Sequence, residues 1–124
     1  MFTCPPILPY FSPLPALTLD RPTNLGIPQW LTTIESQWDD ALAKGTPIRQ
    51  IVTARSCAMD EMLSALFHLY GLQETDLGLF ATGGYGRGEL HPHSDVDVML
   101  LSPNEVDDAL NQRISPFLAK LWDI

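Results

Sequence analysis

Two aspartates one residue apart, Asp95 and Asp97, lie in the run Ser94-Asp95-Val96-Asp97-Val98-Met99-Leu100-Leu101. They follow a glycine-rich stretch, Ala81-Thr82-Gly83-Gly84-Tyr85-Gly86-Arg87-Gly88. A glycine turn can present backbone N–H groups to phosphate oxygens, and closely spaced carboxylates can hold a divalent cation beside those phosphates. Side chains on a strand change face at every residue, so Val96, Val98 and Leu100 are expected to bury while Asp95 and Asp97 emerge together, about 6.5–7 Å apart along the chain. Two carboxylates so placed can share a pair of Mg²⁺ ions about 3.5–4 Å apart, the arrangement used in two-metal nucleotidyl transfer.

Other phosphate loops fit these glycines poorly. A P-loop needs Gly-Lys followed by Ser or Thr, and no lysine occurs between Lys44 and Lys120. A G-x-G-x-x-G series begun at Gly84 and Gly86 ends on Glu89, and one begun at Gly86 and Gly88 ends on His91. His91-Pro92-His93 with Asp95 offers metal-ligand types, but histidines beside a proline in a turn are better read as orienting the loop. Arg87 and Glu89 are close enough to form a local ion pair, and direct phosphate contact by Arg87 is an equal alternative.

The elements that must position these residues are legible around them. Trp30, Leu31, Ile34, Trp38 and Leu42 predict a helix over 29–44 ending at Gly45. Ile48, Ile51, Val52, Met59, Met62, Leu63, Leu66 and Tyr70 predict a long amphipathic helix that starts at Thr46-Pro47, as N-cap and N1, and stops at Gly71. Leu77 to Thr82 reads as a short buried strand running into the glycine turn, and Asp95 to Leu101 as its partner. Ser102-Pro103-Asn104-Glu105 reads as a capping box opening a third helix through Leu121, with Pro116 as a potential kink. The resulting expectation is an α/β fold, a mixed sheet flanked by helices.

Seven of the eleven prolines fall in residues 1–28. Proline removes backbone donors and locks φ, so that segment is expected to be an extended tail, with residues 29–124 forming the folded part. The chain has 124 residues, 45% of them hydrophobic, enough for one small domain or part of one. A net charge of −8 disfavours non-specific nucleic-acid binding, which draws on Lys and Arg meeting phosphates. Cys4 and Cys57 suggest neither a disulfide framework nor a zinc site, which favours a reducing cytoplasm. No apolar run reaches the length of a membrane span, and no basic segment precedes a hydrophobic stretch at the N-terminus.

Gly83-Gly84, then about ten residues, then Asp-x-Asp on an apolar strand resembles the DNA polymerase β-like nucleotidyltransferase superfamily. Within it, Gly83-Gly84-Tyr85-Gly86-Arg87-Gly88-Glu89-Leu90, Pro92 and Ser94-Asp95-Val96-Asp97 resemble the bacterial PII uridylyltransferases, which also remove uridylyl groups. Arg55, Asp60, Leu63 and Leu66 are spaced as in that family's lead-in helix. The resemblance covers roughly residues 47–124 and leaves out 1–28.

It implies transfer of UMP from UTP to a tyrosine of a PII nitrogen-signalling protein, with Mg²⁺ held by Asp95 and Asp97. It further implies nucleotide contacts from Gly83, Gly84, Arg87 and Ser94. The superfamily's third carboxylate has no clear counterpart, Asp123 lying too near the end of a predicted helix. The family continues beyond the equivalent of Ile124 with the rest of the transferase domain, a histidine-aspartate hydrolase domain and sensing domains, so the chain is expected to be an N-terminal fragment. Two other readings carry forward: a fragment that binds nucleotide or a partner without catalysis, and an adenylyltransferase acting on glutamine synthetase, which shares the glycine and Asp-x-Asp signature.

Overall fold

A computed structural model describes residues 26–91 and 94–123. The proline-rich tail expected over 1–28 lies outside the described residues up to position 25. Helix α1 spans Gly26–Ala43, three residues earlier than its apolar spacing suggested, because Pro28 falls in the first turn, where its missing N–H has no intrahelical acceptor to lose. Ile27, Trp30, Ile34, Trp38 and Ala41 are its buried stripe.

Helix α2, Ile48–Leu69, packs against that stripe and is buried on more than one side, through Ile51, Val52, Ala54, Arg55, Ser56, Ala58, Met59, Met62, Leu63 and Leu66. Its start corrects the sequence reading. Pro47 is itself the N-cap, with extended ψ of 135° and no side-chain cap bond, so Thr46 stands outside the helix.

A single 3₁₀ turn at Leu72–Glu74 leads to strand β1, Gly78–Ala81. One helical turn, α3, occupies Gly83–Gly86, and strand β2 runs over Val98–Leu101. β1 and β2 pair antiparallel, Ala81 opposite Val98 and Gly78 opposite Leu101. Among the described residues these two strands are the whole sheet. Leu79, Val96, Val98 and Leu100 pack on the helical core, while Phe80, Met99 and Leu101 face outward and are exposed.

Helix α4, Asp108–Asp123, includes Pro116 and returns Ile114 and Phe117 to the core. The ring of Phe117 meets Phe67 and Tyr70 edge-on, at centroid distances of 6.0 and 6.1 Å. The expected capping box does not open this helix. The Ser102 hydroxyl donates to the Asn104 carbonyl at 2.6 Å, closing a local turn, and the Leu110 N–H instead donates to Asp107 Oδ1 at 2.7 Å. A carboxylate at the N-terminal end also meets the favourable end of the helix dipole.

Cys57 is disulfide-bonded, whereas the sequence suggested no disulfide framework. Among the described residues no helix is long and apolar enough to cross a membrane.

Candidate functional site

The chemistry-bearing residues lie in the connection between the two strands, of which residues 82–91 and 94–97 are described. Sheet pairing proper begins at Val98, yet one further rung precedes it: the Thr82 N–H donates to the Asp97 carbonyl at 2.9 Å. Side-chain alternation also runs ahead of the ladder, with Asp95 and Asp97 exposed and Ser94 and Val96 half-buried. Extended backbone keeps its two-residue period whether or not a neighbour pairs with it. The two carboxylates therefore share the outward face.

The rung at Thr82 brings the glycine turn against the second acid. A Cβ placed on Gly83 would stand 3.1 Å from Asp97 Oδ2, and Gly83 has a positive φ of 59°. A side chain there would meet both an unfavourable backbone conformation and the carboxylate. Gly86 is constrained differently, since a Cβ on it would lie 2.7 Å from the Ala81 carbonyl oxygen. The first backbone bond of the turn is from the Gly86 N–H to the Thr82 carbonyl, 2.9 Å, so the Gly83 and Gly84 amides precede the bonded part of the helix.

Two polar contacts join this connection to α2. The guanidinium of Arg55, 7% exposed, donates through Nη1 to the His91 carbonyl at 2.6 Å and to Ser94 Oγ at 3.1 Å, and through Nη2 to the Ser94 carbonyl at 3.1 Å. Burial lowers the Arg55 pKa, opposed in part by the negative charge of Glu35. Tyr85, 1% exposed, donates its hydroxyl to Asp60 Oδ1 at 2.5 Å. Burial, then the bond to Asp60 and its charge, push the phenol well above its ordinary range. Leu90, also buried, is the turn's apolar anchor on the same core.

These positions bear differently on the residues singled out by sequence. Gly83 and Asp97 come together, Gly84 lies instead beside the Glu89 carbonyl and Arg87, and Asp95 shares the face of Asp97. Ser94 faces the protein: its hydroxyl donates to the His91 carbonyl at 2.6 Å while accepting from Arg55. Arg87 forms an ion pair with Glu89, Nε to Oε2 3.2 Å, both side chains more than half exposed, and lines a cleft with Arg49, Thr53 and His91. Sequence reasoning assigned no role to Tyr85 or Leu90. The available signal was a tyrosine and a leucine within an otherwise small and polar loop, where large apolar surface favours burial.

Among the described residues no group of three His, Cys, Asp or Glu side chains gathers as a metal site. Two exposed carboxylates still fit Mg²⁺, which binds through one or two carboxylates and completes its shell with water and substrate phosphates.

Residues 60–123 match the Nucleotidyltransferase domain family, a span that includes Asp60, the glycine turn and both acids. A bifunctional uridylyltransferase/uridylyl-removing enzyme of Psychrobacter sp. strain PRwf-1 is 47% identical over 127 residues, covering 100% of this chain and 14% of the relative. The protein of the same name from Psychrobacter arcticus is 42% identical over 140 residues, covering 100% of the chain and 15% of the relative. That from Acinetobacter baumannii strain ATCC 17978 is 47% identical over 98 residues, 79% of the chain and 11% of the relative. The chain thus spans about one seventh of the length of the relatives it matches in full. No solved structure matches it. With more than half of its residues matched, and relatives of 42–47% identity along its whole length, the chain belongs to the nucleotidyltransferase domain family.

Proposed function

We propose that this chain carries the nucleotide- and metal-binding part of a uridylyltransferase that moves UMP from UTP to a tyrosine of a PII nitrogen-regulatory protein, in the cytoplasm. The observation that carries the reading is the contact of Asp97 with the glycine turn, where Oδ2 lies 3.1 Å from the position of a Gly83 Cβ. Asp97 Oδ2 is thus close to the backbone of the glycine turn, and a carboxylate repels an anion placed beside it unless a cation lies between them. The arrangement suits a divalent cation placed between the acid and a phosphate.

In this reading Asp95 and Asp97 would hold Mg²⁺, which would supply neutralisation of charge on the α-phosphate and the pyrophosphate leaving group. The Gly83 and Gly84 amides hold phosphate oxygens and fix the triphosphate in line with the incoming hydroxyl. The acceptor tyrosine oxygen gives up its proton to solvent and forms a bond to the α-phosphorus, the bond from that phosphorus to the bridging oxygen breaks, and pyrophosphate leaves. Ser94, with its hydroxyl committed to His91 and Arg55, supports the acid loop from beneath, and direct contact between Ser94 and the nucleotide drops out of the proposal. Arg87, exposed and adjacent to the turn, remains a phosphate partner that must exchange Glu89 for the ligand.

One second reading carries forward, that this stretch alone binds Mg²⁺–UTP without turning it over. Transfer to glutamine synthetase has no observation in its favour beyond the shared signature. The test uses a full-length relative carrying the equivalent of Asp95→Ala or Asp97→Ala: transfer of labelled UMP is expected to fall by orders of magnitude, and near-normal transfer would refute the assignment. Pyrophosphate release by the present chain with Mg²⁺–UTP separates turnover from binding alone.

A further inference from the structure

We propose that Arg55 and Asp60 of α2 are positioning residues for the Asp95–Asp97 site, Arg55 fixing the loop that leads into the acids and Asp60 fixing the glycine turn through Tyr85. The inference rests on the functional reading above and adds to it two residues that touch neither phosphate nor metal.

The two contacts act on opposite halves of the site. Ser94, whose carbonyl and hydroxyl both accept from Arg55, is bonded directly to Asp95. A guanidinium is a rigid planar fork, so three bonds to His91 and Ser94 restrict the direction as well as the distance of that loop. Tyr85 stands between Gly84 and Gly86, and its hydroxyl bond to Asp60 pins the part of the connection that has least stiffness of its own. Both anchors rise from one 22-residue helix, five positions apart. The spacing between glycine turn and acid strand is therefore referred to a rigid rod, in addition to the rung between Thr82 and Asp97.

Cohesion alone does not call for these groups. α2 already buries an apolar set against α1 and α4, and a buried guanidinium or carboxylate costs desolvation that an apolar replacement would avoid. What polar contacts add is direction, which a site with sub-ångström demands requires and an apolar core does not supply.

The experiment measures binding of Mn²⁺ with UTP to the purified chain by water-proton relaxation, at a temperature well below each variant's melting point. The wild-type chain is expected to bind, and Asp97→Ala to abolish binding. Arg55→Met is expected to weaken the Mn²⁺–UTP complex about ten- to a hundredfold, the usual loss when an outer-shell partner is removed. Arg55→Lys should recover only part, since one ammonium cannot span the forked acceptors. Tyr85→Phe, which deletes a single oxygen, should weaken binding by about tenfold. A purely structural role would lower the melting temperature and leave the affinity of the folded protein unchanged. Wild-type affinity in both Arg55→Met and Tyr85→Phe would overturn the inference and leave the functional reading standing. Failure of the wild-type chain to bind would bring down the functional reading and this inference with it. Should Arg55→Met fail to fold, Tyr85→Phe decides the matter alone.

Discussion

The helical body and the connection over residues 82–97 are held together in different ways. In the body, α1, α2 and α4 bury Trp30, Ile34, Leu66, Phe117 and their neighbours against one another, and the stabilisation scales with apolar area and barely depends on direction. In the connection, close approaches that exclude a Cβ and hydrogen bonds from single side chains fix the shape. The body tolerates exchange among residues of similar volume. The connection is specified atom by atom, and the residues with chemistry to perform are in it.

Substitutions can test that contrast. Phe117→Ala, at a fully buried position touching two other rings, is expected to cost about 3–5 kcal/mol. Thermal denaturation should show a large fall in melting temperature, and a small change would mean that α4 is only loosely attached to the core. Gly86→Ala adds one carbon against the Ala81 carbonyl oxygen and is expected to cost about 1–3 kcal/mol by overpacking. An effect near zero would show the connection to be more yielding than its geometry suggests.

The smallest effect is one of pH. Burial and Asp60 raise the Tyr85 phenol above its ordinary value of 10.0. Above that value the unfolded chain releases the proton and the folded chain keeps it, so the unfolded state binds fewer protons and stability falls as pH rises. Alkaline melting curves should decline from about pH 10 upward, and Tyr85→Phe should lose that part of the decline. A wild-type curve no steeper than that of the variant would show Tyr85 to be solvated.

Sequence alone revealed the body well because its signals are local and repeated. The buried positions of α1 recur every three or four residues, and α2 ends where Gly71 predicted. Helix starts were less legible. Ser102-Pro103-Asn104-Glu105 has the spacing of a capping box, but the same hydroxyl can close a turn on Asn104, and Asp107 competes for the helix end. At the site, the type and spacing of Gly83, Gly84, Asp95 and Asp97 were apparent, as was the alternation that sets both acids on one face. Alternation predicts a strand from Asp95, whereas it begins at Val98, because alternation reports extended backbone while pairing depends on a partner. Ser94 was read as a ligand contact and Arg55 only as part of a pattern, since the bond between them crosses 39 positions and has no periodic signature.

A sheet of two strands has no interior member. Among the described residues β1 and β2 pair only with each other, and the face bearing Phe80, Met99 and Leu101 is exposed. An open strand edge is a template for any extended segment of suitable pattern. A charged residue in place of Met99, which is exposed on that face, is expected to lower aggregation at high concentration, as read by light scattering.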